Sequence, residues 1–144
     1  MKLIKTNFKY PNLKRVENKL GRFYIDSKGE EVPSVTTVLS STSDKSGIDE
    51  WKRRVGHEEA ERILKESTSI GTNVHNALEN YLQDKNWNIN DDGSYISKTS
   101  ISILNCFIDN LINDIDEVWG LEVGLILDGL YAGTADCIGK FDGQ

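Results

Sequence analysis

Two carboxylates stand inside otherwise apolar stretches near the end of the chain: Glu122 within Val118–Leu127, and Asp136 within Leu130–Phe141. An acid flanked by Leu, Val, Ile and Ala is costly to remove from water unless it is paired or bound to a cation. Whether the two acids can cooperate depends on the turn between them. Asp128-Gly129 separates two strand-like runs, a strong hairpin signal. A two-residue loop pairs Leu127 with Leu130 and sends Glu122 and Asp136 to opposite faces. A three-residue loop, Leu127-Asp128-Gly129 with Gly129 in the left-handed bulge position, pairs Ile126 with Leu130 instead. Glu122 then lies opposite Thr134, with Asp136 diagonal to it on the same face. This second register also gathers Trp119, Leu121, Val123, Leu125, Tyr131, Ala135, Cys137 and Phe141 on one wholly apolar face. A one-residue slip would flip every side chain, so the bulged turn is the expected one. Converging carboxylates repel unless one is protonated or a cation sits between them. Hard divalent ions such as Mg²⁺ or Mn²⁺ take oxygen ligands of this kind. The alternative is a pair of exposed acids on the solvent face of a hairpin, the default for such residues.

Three further groups could do chemistry. His75 lies four residues before Glu79, so the two are neighbours on one helix face beside an apolar stripe. A neutral imidazole there can ligate a metal or contact a phosphate; a histidine hydrogen-bonded at the edge of a core is the other reading. Trp51-Lys52-Arg53-Arg54 combines a ring that can stack a base with cations that can hold phosphates, although Trp51 is equally suited to a core. His57, among Glu58, Glu59 and Glu61, reads as a solvated helix-start residue.

The elements that position these residues are mostly helical. Phe23–Val32 reads as a short hairpin turning at Ser27-Lys28-Gly29. Ser34 is a good N-cap for a short helix with Val35, Val38 and Leu39 at helical spacing. Ser46-x-x-Asp49 resembles a capping box for a helix through Trp51 to Val55, closed by Gly56. A long helix follows from about His57 to Leu82, with Ile63, Ile70, Val74, Leu78, Tyr81 and Leu82 on one stripe; Ser67-Thr68-Ser69 and Gly71 predict a kink in its middle. Asp84–Gly93 is a loop rich in Asn and Asp. Ser94 begins another helix, with Ile96, Ile101, Leu104, Ile108, Leu111 and Ile115 toward the core.

Composition narrows the class. The chain has 144 residues, enough for one core, and is 38% hydrophobic and 28% charged, which excludes a disordered chain. Glu122 interrupts the longest near-apolar run, so no stretch is apolar enough to span a bilayer. The N-terminus has charge but no apolar segment behind it, so no secretory signal is visible. Two cysteines make neither a disulfide framework nor a four-thiolate cluster, which points to a reducing, cytoplasmic setting. Net charge is −6, yet residues 1–22 carry seven of the 17 Lys/Arg and one of the 23 acids, a local +6 against −12 for the remainder. A basic arm on an acidic body can hold a nucleic-acid backbone while carboxylates gather elsewhere; a solvated basic tail fits the same composition.

Four stretches, in order, resemble a known family: Pro33-Ser34-Val35-Thr36 with its helix, Trp51-Lys52-Arg53-Arg54, Gly71-Thr72-x-x-His75-x-x-x-Glu79-x-Tyr81-Leu82, and Trp119-Gly120-Leu121-Glu122-Val123 followed by Gly133-Thr134-x-Asp136. Over roughly residues 30–142 they look like the PD-(D/E)XK nuclease superfamily, and within it the RecB-like branch that includes phage exonucleases and the mitochondrial genome maintenance exonuclease. The resemblance implies Mg²⁺- or Mn²⁺-dependent hydrolysis of DNA. It implies a metal ligand at Asp136, another at His75, and Glu122 in the same cleft as a catalytic acid beside Asp136. It implies DNA contacts from Lys52, Arg53, Arg54 and Thr72. The family's acid-x-Lys motif, which activates water one strand later, has no counterpart after Asp136, so the chain is expected to be the N-terminal part of such an enzyme and nearly inactive alone.

The expected fold is therefore α+β, a restriction-endonuclease-like core in part: a basic arm and short hairpin over 1–32, a helical part over 33–115, and the first hairpin of the catalytic sheet over 116–144, all in one incomplete domain. The expected partners are DNA, single-stranded ends first, and a second copy of the chain meeting it through the C-terminal hairpin, with no membrane. A non-catalytic nucleic-acid-binding or assembly module on the same scaffold is the alternative.

Overall fold

The computed structural model describes residues 8–144. Lys2 and Lys5 of the expected basic arm lie outside them. The described residues are 46% helix and 28% strand, with the strands in small antiparallel sheets, an α+β arrangement. The elements are β1 (Lys14–Asn18), β2 (Gly21–Ile25), β3 (Glu31–Pro33), α1 (Val35–Thr42), α2 (Ser46–Val55), α3 (His57–Leu82), α4 (Tyr95–Asn110), a 3₁₀ turn (Ile112–Asp114), β4 (Ile115–Leu127) and β5 (Tyr131–Phe141). They form two compact units. A helical unit holds Lys45–Val118 with Gly139–Gln144; a sheet unit holds residues up to Asp44 with Trp119–Ile138. No helix among the described residues is long and apolar enough to cross a membrane.

In the sheet unit, β1, β2 and β3 make an antiparallel meander, with Val16 opposite Phe23 and Tyr24 opposite Val32. The segment expected as part of a basic arm is thus a paired strand from Lys14 onward. Its sequence, Lys-Arg-Val-Glu-Asn, leaves only Val16 partly shielded, so pairing with β2 rather than any apolar pattern makes it a strand. The expected hairpin of β2 and β3 is present. Asp26 closes its turn: one carboxylate oxygen accepts the amides of Lys28 and Glu30, at 2.9 and 2.8 Å. Ser34 caps α1 as expected, its hydroxyl accepting the Thr37 amide at 3.0 Å. Thr37 in turn accepts the Arg22 amide and donates to the Arg22 carbonyl, tying the helix to β2.

The core of this unit is Tyr24, Val32 and Ala132, with Leu13 and Ile126 packed on it. A lone parallel bridge joins Ser34 to Ala132. The β4–β5 hairpin corrects two expectations. At its tip the Leu130 amide bonds the Leu127 carbonyl at 3.0 Å, so Asp128-Gly129 are the centre of a tight turn, with Gly129 at φ 73°. Three residues, Asp128-Gly129-Leu130, lie between the strands, one position later than the expected Leu127-Asp128-Gly129 loop. Val118, Gly120 and Ala132 are buried, and Trp119, Leu121, Val123 and Ala135 of the expected core face are partly shielded together with Gly124 and Ile126, whereas Leu125, Tyr131, Cys137 and Phe141 of that face are exposed. The reason is close approach by the chain entering β1. A Cβ on Gly124 would lie 2.6 Å from the Pro11 carbonyl oxygen, and one on Gly120 would lie 2.9 Å from the Tyr10 ring. At Gly120 and Gly124 the absence of a side chain is what admits this segment.

In the helical unit, α3 runs as one continuous helix from His57 to Leu82. Thr68 and Ser69 donate their hydroxyls to the carbonyls of Leu64 and Lys65 four residues back, so they bond within the helix instead of competing with it. α2 starts at Ser46 without the expected capping box: Lys45 is its N-cap, with no side-chain capping bond to the helix, and Asp49 in the first turn complements the dipole. α3 packs on α4 through small residues. Val74 and Ala77 are buried on one side and Ser97, Ser100 and Leu104 on the other, with the Asn73 amide donating to the Ser100 hydroxyl at 3.3 Å. The sequence stripe found Leu104 but not the buried serines, which satisfy themselves locally; the Ser100 hydroxyl donates to the Ile96 carbonyl at 2.7 Å.

Candidate functional site

The sheet unit contains a cavity of about 600 Å³. Both Glu122 and Asp136 line it, one from β4 and one from β5. Arg22 of β2, Ser34, Thr36 and Thr134 add a guanidinium and three hydroxyls, while Leu125 and Tyr131 supply apolar wall. The volume falls within the roughly 300–1,000 Å³ of small-ligand sites.

Each polar group is placed by a local cause. Glu122 has φ 51°, in the left-handed region, in the middle of β4. A residue with a Cβ pays for that conformation, and such residues concentrate where a side chain must be aimed. Its even-numbered neighbours Gly120, Gly124 and Ile126 are shielded to some degree, yet Glu122 is exposed. Asp136 is exposed on β5. Its charge acts on the next residue: burial, and after it the Asp136 carboxylate, push the Cys137 thiol up from its ordinary value. Ser34 is 3% exposed and shares its hydroxyl with Thr36 and Thr37, both at 2.9 Å, so it is first a helix cap. Arg22 lies 3.7 Å from Glu17, and its Nε is shielded with no hydrogen-bond partner among the described residues.

The cavity's edge strands are held by Asp26, a residue the sequence reading passed over. It is 6% exposed. Besides the two amides of its own turn, its second oxygen accepts the Gly129 amide at 2.9 Å, and Ser27 donates to Asp128 beside it. The Glu30 amide first, then those of Gly129 and Lys28, hold the Asp26 carboxyl below its usual range against the opposing effect of burial. Asp followed by Ser-Lys-Gly is a turn signature that could have disclosed the first two bonds, but not the bond to Gly129 across the fold.

The other sequence candidates belong to the helical unit. His75 and Glu79 are both partly shielded on α3, one turn apart, and Thr72 is exposed one turn before His75. Lys52, Arg53 and Arg54 form the last turn of α2, where cations also complement the helix C-terminus. Trp51 is half-buried. His57 is 83% exposed and pairs with Glu61 at 3.1 Å, in keeping with a solvated helix start.

Oxygen donors on two strands, with hydroxyls and one guanidinium around them, can hold a hard cation and orient an anion against it. No family model matches the chain, and neither a curated protein nor a solved structure matches it.

Proposed function

We propose that the chain is the metal-holding part of a PD-(D/E)XK-type nuclease that hydrolyses phosphodiester bonds in DNA, with single-stranded ends as its substrate and a restriction-endonuclease-like core as its finer fold. One observation carries the reading: Glu122 and Asp136, from different strands, line the same cavity. The donor set fits a hard divalent ion, since two carboxylates and neighbouring hydroxyls are all oxygen. Glu122 and Asp136 would hold Mg²⁺ or Mn²⁺. Once bound, the ion would polarise the phosphodiester and lower the pKa of a water.

The chain's own residues supply the rest. Arg22 offers a fixed cationic fork to a phosphate oxygen, better suited to that task than a lysine. Leu125 and Tyr131 supply apolar surface to one wall. Lys52, Arg53 and Arg54 carry charge for the nucleic-acid backbone.

Calorimetric titration with MnCl₂ tests the reading. Saturable binding by the wild type, abolished in Glu122→Gln and in Asp136→Asn, is expected. Equal binding in all three proteins would overturn it. Strong binding of single-stranded DNA without any specific Mn²⁺ site would favour the non-catalytic module.

A further inference from the structure

A second cavity, of about 310 Å³, lies wholly within the helical unit. Asn73, Asn76 and Asn80 reach it from α3, and Trp87, Asn88 and Asn90 from the loop that follows. The three helix positions are spaced three and four apart, so they share one face of α3. No charged side chain lines the cavity. Its volume is at the bottom of the ligand-site range, room for one ring system rather than an extended chain.

The loop is built to stay in shape. Trp87 meets Tyr81 edge to face, with ring centroids 5.4 Å apart at 76°. The Asn86 side chain accepts the Asn88 amide at 3.1 Å, and the Lys85 amide bonds the Asn80 carbonyl at 2.9 Å. Beyond the cavity, Asp91 and Asp92 accept the amides of Gly93 and Ser94, both at 2.9 Å. Behind it, the Asn73 amide rests on Ser100 of α4. Preorganisation of this kind lowers the ordering cost of binding.

A planar carboxamide presents a donor and an acceptor side by side. So does the edge of a nucleobase, and Asn pairs with adenine in two-bond fashion for that reason. An indole ring adds a surface on which any base stacks. Five amides, one indole and no charge match a neutral, flat, hydrogen-bonding ring. A phosphate would require cations here, and a metal would require carboxylates or imidazoles. We infer that this cavity takes a single unpaired nucleobase, with Trp87 as the stacking surface and Asn76 and Asn80 reading its edge. The inference goes beyond the metal-holding cavity: base binding here needs neither divalent ions nor cleavage. The base can come from a free mononucleotide or from a single strand of DNA.

The test is NMR titration of the ¹⁵N-labelled chain in EDTA, following the Trp87 indole N–H and the side-chain amides of Asn76 and Asn80. The four deoxynucleoside monophosphates form one arm and unstructured oligodeoxynucleotides the other. Saturable shifts at those three groups are expected with at least one nucleotide, at dissociation constants on the order of millimolar. If DNA is the source, the oligonucleotide binds more tightly than its own monomer; if free nucleotide is the source, the two bind alike. Trp87→Ala should weaken binding on the order of 5- to 150-fold. Asn80→Leu, which keeps the side-chain bulk, guards against simple unfolding of the loop and should alter which base binds best. Trp87→Phe should retain binding. No shift at these groups with any nucleotide would overturn the inference, as would equal shifts with glucose. Because the buffer contains no metal, failure here leaves the Mn²⁺ result untouched, and the reverse also holds.

Discussion

The two cavities solve opposite problems. In the sheet unit, Glu122 and Asp136 bring like charges to one space, and the backbone bends out of its ordinary range at Glu122 to do so. In the helical unit, five asparagines line a space with no net charge, on a regular helix and a loop held by its own hydrogen bonds. Gathered carboxylates suit a hard cation. Gathered amides need a partner with matching donors and acceptors and cost little until one arrives. The contrast teaches where a sequence reader should look: acids in apolar strands stand out, whereas asparagines at helical spacing look like ordinary surface.

Perturbation of each unit should break or sharpen this contrast. The largest expected effect is on the charged cavity: Asp136→Asn or Glu122→Gln should remove Mn²⁺ binding outright. Calorimetry checks this, and binding retained in both variants would take the two acids out of the account. Next comes Leu104→Ala, which empties a position 2% exposed in α4 and should cost about 2–5 kcal/mol in denaturant unfolding.

Asp26 gives a smaller, pH-dependent effect. Its folded-state pKa is depressed, so its stabilisation is present above the unfolded-state value of about 4 and is lost as pH falls through the lower folded-state value. Melting temperature should drop below that point more steeply in the wild type than in Asp26→Asn, and faster hydrogen exchange at the Gly129 amide in the variant is the local readout. Parallel pH profiles for the two proteins would remove Asp26 from the account. The least severe change is replacement of Lys52, Arg53 and Arg54 together by alanine. If all three contact phosphates, the salt dependence of single-stranded DNA binding should become shallower by about 2 in log–log slope; an unchanged slope would leave them as helix-end charges.

Much of the helical layout was legible. Ser34, Gly56 and Ser94 marked α1, the end of α2 and the start of α4 because capping is chemistry local to a few residues. The loop after Leu82 followed from its Asn and Asp content. The strands were less legible. β1 carries no apolar alternation and exists through its partner. The hairpin's expected apolar face is only half right, with Trp119, Leu121, Val123 and Ala135 partly shielded, because an apolar count gives glycine no weight, while Gly120 and Gly124 lie against the segment entering β1. In the candidate sites, Glu122 and Asp136 were visible as anomalies of type and place. Arg22 was hidden among the basic residues of the first segment, and Asp26 looked like an ordinary turn acid, since its third bond spans 103 residues.

That span has a kinetic consequence. The sheet unit is assembled from two stretches of chain separated by α2, α3 and α4, and the Asp26–Gly129 bond closes them. Loop closure over such a distance carries an entropic cost before any contact returns it, and folds rich in distant pairings form slowly. α3 and α4 follow one another and pack locally, so the helical unit can reach its native pairing while the meander still waits for β4 and β5. Refolding should therefore show helix signal ahead of Tyr24 burial, with the cavity lined by Glu122 and Asp136 the last part of the molecule to exist.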